Sequence, residues 1–175
     1  MLQLCQQKDV GMAGAKLYYP DDTIQHAGVV VGLGGVAAHV LCKLPRDAEG
    51  YMGRLRCVQE ISAVTAACMM VKTSVFKAVG GFDEELKVAF NDIDFCMKLR
   101  KAGYLIVYNP YAELYHYESK SRGMEDTPEK QLRFSREVNC FRRKWERELL
   151  KGDPYYNPNL TLNNTDCSLS LIHIS

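Results

Sequence analysis

The sequence is short of several things that would define its class at once. Its seven cysteines stand at 5, 42, 57, 68, 96, 140 and 167 and form no Cys-x-x-Cys. A zinc ribbon or thioredoxin-type site is therefore not expected. The odd count, with Cys68 and Cys96 inside apolar segments, points to reduced, packed thiols and a cytoplasmic protein. No charge of one sign dominates: 22 basic residues against 21 acidic ones leave a net charge of +1. No global field then draws the chain to nucleic acid or acidic membrane. The longest nearly apolar run, Ala27 to Cys42, holds four glycines and His39. It is shorter than the roughly 20 apolar residues of a spanning helix. The opening residues show no basic end followed by an apolar stretch, so no signal peptide is expected.

What is present is ordinary globular composition. The 175 residues are 47% hydrophobic and 25% charged, which excludes disordered, collagen-like and low-complexity classes. That length suits one domain or half of a larger one. Leu2, Leu4 and Cys5 read as the last turns of a helix begun earlier, so the chain is expected to continue a longer protein. "VGMAGAKLYY" reads as a strand closed by Pro20-Asp21-Asp22, and "TIQHAGVVVGL" as a second. Residues 32–60 read as a long loop and 61–71 as a buried strand. A short helix follows from Thr73 or Ser74 to Val79, ended by Gly80. Asp92 to Lys101 has helical periodicity. "YLIVY" and "AELYHY" read as two strands separated by a turn at Asn109-Pro110. Thr127-Pro128 starts a helix to about Leu150, with Leu132, Phe134, Val138, Phe141, Trp145 and Leu149 on one side. This alternation places the chain in the α/β or α+β class.

Three constellations could carry chemistry. Gly32-x-Gly34-x-x-Ala37 after a strand matches a relaxed dinucleotide fingerprint, but Pro45 follows within eight residues of Ala37 and no second strand ending in an acid follows. A glycine loop is the better reading there. The second is Asn91-Asp92-Ile93-Asp94, opening a helix after the Gly80-Gly81 loop. Asp92 and Asp94 lie two apart on a helix, so they cannot share a face and should have different tasks. The third is His116, followed by Ser119, Lys120, Ser121, Arg122 and Gly123. A metal-ligating histidine beside a loop whose Arg gives forked contacts and whose Lys gives a point charge forms a coherent diphosphate grip.

Together these segments carry a resemblance. The run from "TAACMMVKTSVFKAVGGFDEEL" through "NDIDFCMKLRKAGYLIVYNPYAELYHYESKSRG" resembles the second half of the catalytic domain of family 2 glycosyltransferases. These are inverting enzymes of GT-A fold that build bacterial polysaccharide and O-antigen chains. The resemblance continues through "RFSREVNCFRRKWERELLKGDPYYNPNLTL". It implies a partial GT-A (nucleotide-diphospho-sugar transferase) fold: a mixed sheet flanked by helices, with a C-terminal helical extension. The organisation implied is 1–123 for the acceptor-side part, 124–152 for an amphipathic extension, and 153–175 for an irregular tail. The last residues of that tail do not continue the pattern. By resemblance Asp92 is the general base, with Asn91 standing where Glu is common. His116 supplies a metal or diphosphate contact, and Lys120 and Arg122 lie on a loop over the donor. Gly80 and Gly81 line the sugar pocket, and Asp94 is an acceptor-side or structural carboxylate.

The same resemblance implies a nucleotide-sugar donor, a saccharide acceptor and a divalent cation, Mg or Mn. The family's Asp-x-Asp metal motif is expected N-terminal to the helix where this chain starts, and Asp21-Asp22, near the start, sits in a turn and does not replace it. The isolated chain is therefore expected to be nearly inactive. Ser119 to Lys151 holds ten basic and six acidic residues, a local charge of +4 that suits a diphosphate or contact at the inner face of a membrane. Self-association through an exposed sheet edge is also expected. Two other classes stay open: a non-catalytic saccharide- or protein-binding module, and a dinucleotide-dependent oxidoreductase using the Gly32 loop.

Overall fold

The computed structural model describes residues 1–117 and 127–170. Along the chain lie α1 (Leu2–Cys5), β1 (Val10–Tyr18), β2 (Ile24–His26), β3 (Val29–Val31), β4 (Ala37–His39) and β5 (Gln59–Glu60). They are followed by β6 (Met69–Val71), α2 (Thr73–Ala78), α3 (Asn91–Lys101), β7 (Leu105–Tyr115), α4 (Pro128–Lys144) and α5 (Glu146–Lys151). The fold is mixed α/β, as the alternation predicts. Among the described residues no helix is long and apolar enough to cross a membrane.

β1 is the centre of the main sheet, and all nine of its residues are buried. One edge pairs in parallel with β7; the other is divided between antiparallel β6, opposite Met12–Gly14, and antiparallel β2, opposite Leu17 and Tyr18. β5 covers the far edge of β7 at Val107 and Tyr108. A strand enclosed on both faces and both edges needs small residues where neighbours press closest. A Cβ on Gly14 would stand 2.3 Å from a Val64 methyl carbon, and one on Gly11 would stand 2.7 Å from Tyr104 Cβ.

Five expectations are corrected. "TIQHAGVVVGL" is not one strand: Gly28, at φ +105°, breaks it into β2 of the main sheet and β3, which pairs with β4 in a separate hairpin. The expected loop 32–60 thus contains strand β4. Residues 61–71 are not one buried strand either. Thr65 Oγ1 accepts from the Ala67 N–H and caps a 3₁₀ turn at Ala66–Cys68, leaving only Met69–Val71 as a half-buried strand. The predicted turn at Asn109-Pro110 is absorbed into one long strand, β7. Asn109 faces Ala15 but Glu113 faces Lys16, so residues 110–112 bulge out of the ladder, where a proline without an N–H costs no ladder bond.

The last correction concerns the long helix. It divides at Trp145 (φ −115°, ψ 25°) into α4 and α5. Thr127 caps α4 as predicted, its Oγ1 accepting from the Lys130 N–H at 3.3 Å. Phe141 and Trp145 are buried, whereas Leu132 and Phe134 are exposed. The break lets the Trp145 ring insert against α3 instead of continuing the stripe. One hydrophobic core joins β1, β7 and α3 to Phe141, Trp145, Tyr156, Leu160 and Cys167, so the segment after α5 packs back onto the sheet. Leu41 N–H donates to Thr165 C=O, and Val31 N–H to the Asp153 carboxylate.

Candidate functional site

The start of α3 is held from two directions. Phe90, just before it, sits in the left-handed region at φ 62°, where a bulky side chain is strained. Its ring packs on Phe134 and Phe141 of α4, with centroids 5.7 and 5.4 Å away. Glu137 of α4 is 3% exposed, and its carboxylate accepts three backbone N–H groups, from Lys87 (3.1 Å), Val88 (3.2 Å) and Ala89 (2.8 Å). Three consecutive amides fixed on one carboxylate leave the segment entering α3 little freedom.

Asp92 and Asp94 stand in different surroundings, in keeping with their spacing on the helix. Asp94 is completely buried. Its Oδ1 accepts from Trp145 Nε1 at 2.8 Å and lies 2.8 Å from Lys144 Nζ. Its Oδ2 pairs with Lys98 Nζ at 3.2 Å, as an ion pair without hydrogen-bond alignment. These contacts tie Asp94 of α3 to Lys144 and Trp145 at the end of α4. Burial alone would lower the Lys144 pKa, but Asp83 and Asp94 outweigh it and raise it. Asp92 is half-buried. Its Oδ2 accepts from Ala66 N–H at 2.9 Å and its Oδ1 from Ile93 N–H at 2.9 Å. Asn91 Oδ1 accepts from the Asp92 N–H at 2.7 Å.

The Ala66 amide that Asp92 holds follows Thr65, which lines a pocket. Thr65 is one wall of a cavity of about 250 Å³, whose other walls are Tyr19, Gln25, His39, Cys42, His116 and Thr165, with Ala38. It opens where the parallel strands β1 and β7 end, beside Tyr19 and His116. Carboxyl ends of parallel strands are where open α/β sheets bind ligands. His116 is positioned by its N–H donating to Tyr18 C=O at 3.0 Å. Its ring Nδ1 lies 2.8 Å from Gln25 Oε1, while Gln25 Nε2 donates to His116 C=O at 3.3 Å. A larger cavity of about 470 Å³ lies at the other end of β7, lined by Arg100, Lys101, Tyr104, Glu148, Lys151 and Tyr155 among others. It contains none of the candidates.

His116 lines the pocket, whereas Asp92 does not line it and is linked to it only through Ala66, the chain neighbour of Thr65. Gly80 and Gly81 stand elsewhere and do not line the pocket. They form the turn that closes α2, with φ of 80° and 61°, the Gly81 N–H donating to Phe76 C=O at 3.0 Å. Lys120 and Arg122 lie outside the described residues. The Gly32 loop forms a 3₁₀ turn with no helix N-terminus behind it, and its Gly34 N–H donates to Leu162 C=O. That geometry cannot cradle a pyrophosphate. Sequence reasoning missed Glu137, which reads as one more charge on a basic helix. It also missed His26 and His39, whose rings meet only through the β3–β4 hairpin.

A divalent cation needs several ligands on one centre. Gln25 Oε1 only accepts, so His116 Nδ1 carries a proton and only Nε2 is left as a ligand atom, one ligand's worth. Among the described residues no group of three His, Cys, Asp or Glu side chains could hold a metal ion. The described residues therefore do not make a cation site.

No family model matches the chain, and no solved structure matches it. Among curated proteins, it is 57% identical over 171 residues to an uncharacterized protein of Sinorhizobium fredii, covering 97% of this chain and 19% of that protein. It is 38% identical over 170 residues to the O-antigen biosynthesis protein RfbC of Myxococcus xanthus, covering 97% of this chain and 13% of that protein. A shorter match, 40% over 62 residues, reaches an N-acetylglucosaminyl-diphospho-decaprenol L-rhamnosyltransferase of Mycobacterium tuberculosis, covering 35% of this chain and 20% of that protein. The chain thus spans less than a fifth of the length of the first two relatives, and its similarity is to proteins named for O-antigen synthesis and rhamnosyl transfer.

Proposed function

We propose that this chain forms the acceptor-side part of a family 2, GT-A-fold glycosyltransferase that transfers a sugar from a nucleotide-diphospho-sugar to a saccharide acceptor with inversion, in polysaccharide synthesis. The names of the relatives support a role in glycosyl transfer. The observation that carries the assignment of roles is the placement of Asp92. This half-buried carboxylate stands at the start of α3 and accepts from the Ala66 N–H, one residue along from Thr65, which lines a pocket together with His116. Asp92 takes the proton of an acceptor hydroxyl as that oxygen attacks the anomeric carbon. The bond from that carbon to the diphosphate breaks on the opposite face, and the diphosphate leaves with its electron pair. Asn91 orders the Asp92 backbone at the acceptor side. Lys120 and Arg122 neutralise the diphosphate. His116 offers one nitrogen to a Mg or Mn ion whose other ligands are not among the described residues, and no step is assigned to that ion. Seven free thiols agree with a cytoplasmic location.

The test is Asp92→Asn in the complete protein, assayed with nucleotide-sugar and acceptor. Transfer is expected to fall by roughly 10²–10⁴-fold with donor binding retained. An unchanged rate overturns the assignment. A second reading, a saccharide-binding module without catalysis, is favoured by one fact: both Asp92 oxygens accept backbone N–H groups. Saccharide binding without transfer in the complete protein would select it.

A further inference from the structure

The larger cavity, at the start of β7, is built by two helix ends. Gly103, at φ +87°, follows the end of α3 and turns the chain into β7. Gly152, at φ +77°, ends α5 and turns the chain toward Tyr155. Left-handed backbone at these two places lets both last turns line one hollow of about 470 Å³. Small-molecule sites have volumes of about 300–1,000 Å³. The two last turns contribute Arg100, Lys101 and Lys151, and Glu148 is the one carboxylate of the lining among the described residues. Each helix end carries a partial charge of about −0.5, so three full positive charges against these and Glu148 leave the cavity net positive.

These cations are held by neutral groups. Among the described residues no carboxylate, Glu148 included, forms an ion pair with Arg100, Lys101 or Lys151. Arg100 Nη1 donates to Ser62 Oγ at 3.0 Å and to Met97 Sδ at 3.6 Å. Its guanidinium stands 5.5 Å from the centre of the Tyr155 ring, and Lys101 Nζ stands 5.9 Å from the centre of the Trp145 ring. Such contacts place the charges without neutralising them, which suits a bound oxyanion. Tyr104 and Tyr155, each half-buried, line the same cavity. A pyranose has a face of C–H groups that fits an aromatic ring, whereas a bare oxyanion has none. The eleven residues of β7 separate this cavity from His116 by roughly 30 Å of strand, too far for one monosaccharide to reach both.

We propose that this cavity is a second saccharide site, separate from the transfer pocket, and that it takes an anionic sugar. The carboxylate or phosphate oxygens bind Arg100, Lys101 and Lys151, and the sugar ring lies on Tyr104 and Tyr155. The choice of a sugar rests on the polysaccharide-synthesis reading above, whereas the preference for an anion follows from the cations alone. Isothermal titration calorimetry of the complete protein tests both parts, with glucuronate, glucose 6-phosphate and glucose as probes. At least one anionic sugar is expected to bind about tenfold more tightly than glucose, and the tighter of the two identifies the oxyanion. Acetate and inorganic phosphate, which have no ring, are each expected to bind more weakly than the corresponding sugar. Lys101→Gln combined with Lys151→Gln, both at exposed positions, is expected to weaken the anionic sugar about tenfold with the thermal melt unchanged. Equal binding of glucose and both anionic sugars overturns the site, and so does a preference that survives the double substitution. A ring-less anion binding as tightly as its sugar overturns the saccharide part. Failure of the glycosyl-transfer reading is separate: Asp92→Asn would retain full transfer while the affinity for the anionic sugar stayed as expected.

Discussion

Trp145 donates its indole N–H to Asp94 Oδ1 at 2.8 Å, joining the end of α4 to the first turn of α3 across 51 positions of sequence. With Glu137 on the amides of residues 87–89, it makes the C-terminal helices the clamp that fixes the segment bearing Asp92.

Trp145→Phe keeps most of the ring packing and deletes this donor. Hydrogen bonds to a charged group contribute about 2 kcal/mol, so a fall in Tm of roughly 4–8 °C is expected for a chain of this size. Thermal melts by circular dichroism check it. An unchanged Tm would mean that the bond adds nothing beyond packing.

Glu137→Ala removes the carboxylate that accepts from three loop amides, and Glu137→Gln keeps one acceptor oxygen but no charge. Leaving buried N–H groups unpaired costs about 1–3 kcal/mol, so Ala is expected to be the worse of the two. Hydrogen exchange should rise at Lys87, Val88 and Ala89 before it rises in β1. Uniform exchange across the chain would contradict a local clamp.

Burial, and next the neighbouring His39, hold the His26 pKa well below the ordinary imidazole value. The unfolded chain therefore binds this proton at a higher pH than the folded one. Stability is full above about pH 6.5 and is lost as pH falls below it, by at most about 1.4 kcal/mol per pH unit from this group. Denaturant titrations at pH 7.5 and 5.5 check it. In His26→Gln that part of the pH dependence should disappear.

A Cβ on Gly14 would stand 2.3 to 3.0 Å from the three branch carbons of Val64. Gly14→Ala is expected to cost about 1–3 kcal/mol or more by overpacking. Val64→Ala removes the two methyls at 2.3 and 3.0 Å and leaves only the Cβ at 2.6 Å, so the double variant should be less destabilised than the two single effects added together. Strict additivity would show that the strand shifts to accommodate the methyl.

Elements with local chemistry were legible in sequence. Thr127-Pro128 started α4, Gly103 followed the end of α3, and the small-residue run in 10–18 was the central strand. The Asp92–Asp94 spacing already put the two carboxylates in different surroundings. Where the sequence misled, a distant partner had decided. Gly28 sends β2 and β3 to different sheets, because the hairpin with β4 offers β3 its ladder. Pro110 reads as a stop but lies in a bulge, because parallel pairing with β1 resumes at Glu113. Trp145 interrupts a helix whose periodicity would have continued, because Asp94 waits for its N–H.

The same division applies to what was absent at the outset. The lack of Cys-x-x-Cys, of a dominant charge and of a long apolar run was decided by composition, which needs no folding to be read. Those absences left an α/β chain with an acidic helix start and one histidine of interest. Only the tertiary structure decided that Asp94 is buried among lysines and Trp145, that Asp92 remains half-buried, and that His39 joins His116 in one cavity. Burial and hydrogen-bond partners depend on residues far apart in the chain, and a local pattern has no record of them.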